Sequence, residues 1–246
     1  MSPTLLAIAL VFGAALSSMP VFALLQRGRR DADAVRKGSS FLLGTSDFLV
    51  HWFMWAISPV ERALLRAGAG PDHMNGLGLL FGLASGTAIA FGRLEAGGAA
   101  IALAGVCDVL DGRLARVLQV ASPYGKFIDA TLDRFVETAA FLGFAVYFGG
   151  RPWGPLVVAA GLGGSLLVSY AQARGETVGV SGSGGLMQRA ERLVLQILGC
   201  LFDPALCRWL SLPEGTVLFW VLVVMATGAL GTAVHRTLWI ARRLRG

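Results

Sequence analysis

Apolar runs long enough to cross a bilayer recur along this chain, at 4–25, 74–92, 97–118, 126–148, 154–174, 188–206 and 215–238. A helix needs roughly 20 such residues to span a hydrocarbon core of about 30 Å. Inside lipid every backbone polar group must be satisfied internally, which leaves helices or closed barrels. Runs of this length, joined by short connections, lead to an all-α integral membrane protein. Composition agrees: 55% of residues are hydrophobic and only 15% charged, where a soluble domain carries about a quarter. A soluble core could not hide that much apolar surface, and the same numbers exclude disorder. The 33 glycines suit closely packed membrane helices, because small residues let backbones approach.

The run at 4–25 competes with a signal peptide. No basic residue precedes it, and Arg27-Gly28-Arg29-Arg30 follows it, the reverse of a secretory leader. The expectation is an uncleaved first span with the N-terminus outside. Residues 1–40 then form an extra N-terminal transmembrane helix and a basic cytoplasmic linker. In 41–70, Leu49, Phe53, Ile57, Val60 and Leu64 recur at helical spacing, with Asp47, His51, Ser58 and Arg62 on the other side. That pattern predicts an amphipathic helix in the membrane interface, bent at Pro59. Residues 71–246 form a six-span core, with a Gly/Ser-rich connection at 175–187. Placing 26–73 in the cytoplasm leaves only Arg93, Arg151 and Arg208 of the 21 basic residues outside, as the positive-inside rule requires. Trp153 and Trp209 then sit at the outer interface and Trp239 at the inner one.

The net charge of +6 is spread between apolar runs rather than on a soluble patch. It suits anionic head groups or a phosphorylated substrate better than nucleic acid. Cys107, Cys200 and Cys207 form no CxxC pair and have no neighbouring His, so neither a zinc site nor a disulfide framework is indicated.

Acidic residues at paired spacings are the informative feature. Asp108 and Asp111 are three apart, and Asp129 and Asp133 are four apart, with Ser122-Pro123 and Gly125 between the pairs. Each pair shares one helix face, so two antiparallel helices bring four carboxylates together near the cytoplasmic end of the bundle. A carboxylate inside a bilayer costs about 2.5–3.5 kcal/mol on insertion scales. A pair of divalent cations in a wet cavity removes that cost. Oxygen donors without His or Cys select Mg²⁺ or Mn²⁺ over Zn²⁺, and paired hard cations serve phosphoryl chemistry. Gly112 and Ala115 leave room for a ligand beside the acids, and Arg116 can pair with a diphosphate.

These residues resemble the signature of the CDP-alcohol phosphotransferase family, DGxxARx8GxxxDxxxD preceded by a further Asp. Asp108, Asp111, Gly112, Ala115, Arg116, Gly125, Asp129 and Asp133 occupy its fixed positions. The resemblance covers roughly 60–245. It implies transfer of a phosphatidyl-type group from a CDP-linked lipid such as CDP-diacylglycerol to an alcohol hydroxyl, with release of CMP. It further implies two Mg²⁺ ions (Mn²⁺ as a substitute) on Asp108, Asp111, Asp129 and Asp133, with Asp133 also the base. Pro71, Asp72, His73, Met74, Gly112, Ala115, Arg116, Ser122 and Gly125 would hold the CDP-lipid. Many members have Thr or Ser where this chain has Asn75. A homodimer is usual among members.

For the acceptor, Ser169, Gln172, Arg174, Arg189 and Arg192 resemble the pocket of the phosphatidylinositol-phosphate and archaetidylinositol-phosphate synthase branch. Inositol phosphate is the acceptor this implies. Gln172 departs from the pattern, standing where that branch has a basic residue, so glycerol 3-phosphate or another alcohol stays open. A reading of another class, a membrane transporter whose acids bind the transported cation, also starts from the aspartates. It predicts metal flux without any nucleotide requirement.

Overall fold

The computed structural model describes residues 13, 17–25, 47–180, 185 and 187–245. Most of the first apolar run, the basic linker and residues 181–184 and 186 of the Gly/Ser-rich connection lie outside the described residues. Among the described residues all regular structure is helical, with no strand. From Asp47 onward the described residues form seven helices in succession: α1 (Asp47–Arg66), α2 (Pro71–Ala90), α3 (Leu94–Val117), α4 (Pro123–Tyr147), α5 (Gly154–Thr177), α6 (Arg189–Trp209) and α7 (Thr216–Arg245).

The chain divides into two compact units, 1–69 and 70–246. In the first, residues 17–25 are helical and pack on α1. Phe22 meets Phe48 and Trp55 with ring centroids 5.5 and 5.6 Å apart, and Trp52 Nε1 donates to Ser18 Oγ at 2.9 Å. Pro59 lies inside α1, and Met54, Ile57 and Glu61 are its buried positions.

The second unit holds α2 to α7. Here α2 packs along α3 and α4, α3 against α6, and α7 against α5 and α6. Phe141, Phe144, Ile89, Leu218, Leu222 and Met225 form the centre of the core. Outward positions are also large and apolar, including Leu80, Leu83, Phe91, Leu142, Val146, Trp220 and Val224. Exposed apolar surface on that scale belongs against lipid rather than water. By length and composition, α5 and α7 are each long and apolar enough to cross a membrane.

Local chemistry sets the helix starts. Ser122 has extended backbone and its Oγ accepts from Gly125 N at 3.1 Å, an N-cap followed by Pro123 in the first turn of α4, where the missing N–H costs nothing. Pro71 opens α2 in the same way, and His73 Nδ1 accepts from Gly70 N at 3.1 Å.

The start of α7 is capped from α6. Asp203 is fully buried and accepts from Gly215 N at 2.7 Å and Leu218 N at 2.8 Å. Charge-assisted bonds to backbone donors are worth about 1.5–3 kcal/mol each, and the orphaned donors would have no water to turn to. We therefore expect Asp203→Ala to destabilise the protein by about 3 kcal/mol or more. Thermal unfolding of the detergent-solubilised protein reads this directly, and an unchanged midpoint would refute it.

Candidate active site

The two acid pairs face one another across α3 and α4. Asp108 and Asp111 lie near the C-terminal end of α3, and Asp129 and Asp133 lie in the first half of α4. Asp108, Asp111 and Asp129 each offer a carboxylate oxygen, and these atoms all lie within 4.8 Å of one another. Asp111 is buried. Carboxylates this close repel strongly where water is scarce. Their donor set, hard oxygens from two helices with no sulfur or imidazole, fits a divalent cation of the Mg²⁺ or Mn²⁺ kind.

Asp133 is held differently. Arg189, the first residue of α6, donates through Nη2 to Asp133 Oδ1 and through Nη1 to both oxygens of Asp108 at 3.0 and 3.1 Å. One guanidinium thus ties α6 to an acid on α3 and an acid on α4. A cavity opens beside this group. It is lined by Met74, Asn75, Gly78 and Leu79 of α2, the four aspartates, Leu132 and Val136 of α4, and Arg189 and Leu193 of α6.

The presumed nucleotide residues frame the same end of the bundle. Pro71, Asp72, His73 and Met74 form the first turn of α2; Met74 is buried and lines the cavity, while Asp72 and His73 are exposed. Gly112 lies under the Arg116 side chain, since an added Cβ would come 3.3 Å from Arg116 Nη1. Ala115 is half-buried on α3. Ser122 and Gly125 are engaged with each other at the cap of α4.

The presumed acceptor residues are not all open. Ser169 Oγ accepts from Arg134 Nη1 at 2.7 Å. Arg192 is 1% exposed, and its Nε and Nη2 donate to Glu137 Oε1 at 3.4 and 3.3 Å while Nη1 donates to Met187 O at 3.2 Å. Gln172 Oε1 accepts from Arg236 Nη1 at 3.0 Å, and its Nε2 donates to Glu176 Oε1 at 3.1 Å. Arg174 is exposed.

The motif leaves out several residues that the structure draws in. Asn75 lines the cavity. Arg134 pairs with Glu137 at 2.8 Å, with its other terminal nitrogen 3.8 Å from Asp133, and Arg236, buried on α7, reaches α5 at Val168 O and Gln172. Asn75 is marked in the sequence by its departure from the family pattern, and Glu137 extends the Asp129, Asp133 series by one further step of four.

Comparison with known proteins places this arrangement. The family model described as CDP-alcohol phosphatidyltransferase matches residues 71–227. The phosphatidylinositol phosphate synthase of Streptomyces avermitilis is 33% identical over 198 residues, covering 78% of this chain and 80% of that one. The archaetidylinositol phosphate synthase of Methanothermobacter thermautotrophicus is 32% identical over 193 residues, 77% of this chain and 90% of its own. The crystal structure of Mycobacterium tuberculosis phosphatidylinositol phosphate synthase with CDP-DAG bound superposes with a TM-score of 0.64 at 30% identity, covering 74% of this chain and 92% of that chain. The same synthase in complex with manganese and citrate gives a TM-score of 0.66 at 28% identity, covering 74% and 88%.

Proposed function

Because the chain belongs to the CDP-alcohol phosphatidyltransferase family, we propose that it transfers a phosphatidyl group from CDP-diacylglycerol to a hydroxyl of inositol phosphate, releasing CMP. The observation that carries this reading is the convergence of signature acids from α3 and α4 on one cavity. The relatives named for inositol phosphate products supply the acceptor.

Asp108, Asp111, Asp129 and Asp133 would hold two Mg²⁺ ions, with Mn²⁺ as a substitute, which when bound offset charge on the diphosphate and on departing CMP. Asp133 takes the proton of the acceptor hydroxyl, a poor nucleophile at neutral pH without a base in reach. The freed oxygen attacks the phosphorus that bears the lipid, the phosphoanhydride bond breaks, and CMP leaves. Arg116, lying over Gly112 at the end of α3, pairs with the nucleotide phosphate. The first turn of α2, Ala115, Ser122 and Gly125 border the nucleotide. Ser169, Gln172, Arg174, Arg189 and Arg192 form the acceptor side. Arg189 reaches the acceptor from its position between Asp108 and Asp133, whereas Arg192 contributes through the residues it holds.

In the membrane, α2 to α7 cross six times after a first span at 4–25, with the N-terminus outside and the site facing the cytoplasm. Helices of 20–25 residues such as α2, α3 and α4 rise about 30–38 Å at 1.5 Å per residue, enough for a bilayer core. Residues 41–70 lie in the interface, and two copies of the chain pair.

A panel assay tests the reading: purified protein with CDP-diacylglycerol and, in turn, inositol phosphate, glycerol 3-phosphate, serine and free inositol, read as CMP release. We expect CMP with inositol phosphate, loss of at least about 100-fold on chelation, and recovery with Mg²⁺ or Mn²⁺. Turnover with glycerol 3-phosphate alone would overturn the acceptor, and turnover indifferent to chelation would overturn the mechanism.

A further inference from the structure

Glu137 lies outside the family signature, and no step of the reaction above uses it. It stands one turn beyond Asp133 on α4, on the same face. Four donors from three helices converge on it. Its Oε2 accepts from Arg134 Nη1 at 2.8 Å, and its Oε1 accepts from Arg192 Nη2 and Nε at 3.3 and 3.4 Å and from Ser165 Oγ. A carboxylate within a helix bundle is costly unless paired and hydrogen-bonded, and this one is both.

The two arginines it holds are not equivalent. Arg192 is 1% exposed and has its third nitrogen on Met187 O, so it acts as a strut between the start of α6 and α4. Arg134 has a side chain 28% exposed and adjoins Asp133. Its Nη1 is fixed twice, by Glu137 at 2.8 Å and by Ser169 Oγ of α5 at 2.7 Å. Its Nη2 stands 3.8 Å from Asp133 Oδ2, beyond hydrogen-bond range. A guanidinium next to a carboxylate gains by closing into a forked pair. Anchoring the opposite nitrogen to Glu137 and Ser169 holds Arg134 short of that pair. The result is a cation fixed between the base and Ser169, with Asp133 not locked to it.

Resting on the transfer reaction proposed above, we propose that Glu137 is a positioning residue that holds Arg134 as the anchor for the acceptor's phosphate beside Asp133. An acceptor whose hydroxyl reaches Asp133 has the Arg134 guanidinium and Ser169 next to it, so one bound phosphate orients the reacting oxygen. Glu137 acts through Arg134 and does not touch the substrate.

The experiment is steady-state CMP release by the full chain in lipid nanodiscs, with CDP-diacylglycerol and inositol phosphate varied separately. Glu137→Gln raises KM for the acceptor by about tenfold or more, as expected from loosening a charge-assisted hydrogen bond, while KM for CDP-diacylglycerol stays within about twofold. Glu137→Asp recovers part of the loss. If Glu137 works through Arg134, the double variant Glu137→Gln/Arg134→Gln is no worse than Arg134→Gln alone. An unshifted acceptor KM in Glu137→Gln overturns the assignment. So does a rise in both KM values together, which marks a merely structural role, and so does full additivity in the double variant. Should Glu137→Gln fail to survive solubilisation, Ser169→Ala removes the other anchor of the same nitrogen without unpairing a buried charge. It raises acceptor KM by a smaller factor, and an unchanged value overturns the proposal. Wild-type protein releasing no CMP with any acceptor would refute the transfer reading itself. Wild-type turnover with an unshifted Glu137→Gln refutes only the role of Glu137.

Discussion

Asp133→Asn is expected to lower CMP release by about 10²–10⁴-fold, the usual contribution of a general base, and to leave the bundle folded. The substitution keeps the side chain's shape but removes its charge. On the proposed mechanism the acceptor hydroxyl loses its proton acceptor, and the four-aspartate set that would hold metal loses one carboxylate. The fold survives because Arg189, which pairs with Asp133, also donates to both oxygens of Asp108 at 3.0 and 3.1 Å, so its charge stays compensated. Asp111→Asn provides the contrast. Asp111 belongs with Asp108 and Asp129 to the group whose oxygens lie within 4.8 Å of one another, so its loss weakens Mn²⁺ binding, followed by electron paramagnetic resonance. A fully active Asp133→Asn variant would remove Asp133 from the role of base.

Much of this site is legible in the chain before any coordinates. Spacings of three and four place Asp108 with Asp111 and Asp129 with Asp133 on single helix faces, whereas Ser122-Pro123 and Gly125, which read as the turn between the pairs, form the N-cap and first turn of α4, with Gly125 N donating to Ser122 Oγ at 3.1 Å. Helix extents follow hydropathy except where charge continues a helix past its apolar stretch. Thus α7 runs to Arg245, with Arg242, Arg243 and Arg245 in its last turn, where cations complement the helix dipole. Partners across long separations are not legible. Arg189 meets Asp108 across 81 positions and Asp133 across 56, and no periodicity encodes which of many arginines α6 presents to which acid. Asp203 likewise looks like a stray acid in an apolar run until Gly215 and Leu218 reach it. Arg192 shows the reverse difficulty: its type and place suit an anion pocket, yet its guanidinium is consumed by Glu137 and Met187.

The cavity beside the aspartates depends on how closely α2 approaches α4, and two glycines set that distance. A Cβ added at Gly86 would lie 2.1 Å from Ala139 O and 2.7 Å from its carbonyl carbon, and one at Gly143 would lie 2.4 Å from Gly86 O. These obstacles are backbone, which cannot rotate away as a side-chain tip can. A carbon normally sits about 3.3 Å or more from a carbonyl oxygen, so Gly86→Ala must part the helices by roughly 1 Å. Overpacking of this kind costs about 1–3 kcal/mol. The larger effect is functional, because α2 carries Asn75 and Gly78 of the cavity wall and α4 carries Asp129 and Asp133. A displacement of 1 Å can cost about 10²-fold in rate when reacting groups are held in place by the scaffold. Gly86→Ala is therefore expected to lose about two orders of magnitude in CMP release and to lower the thermal midpoint, and Gly86→Val to yield no folded protein. Gly231, on α7 with nothing within 4 Å of an added Cβ, supplies the control, and Gly231→Ala should match wild type in both measurements. Full activity in Gly86→Ala would show that α2 and α4 do not meet at this point. The placement of Asn75 and Gly78 opposite the α4 acids would fall with that contact.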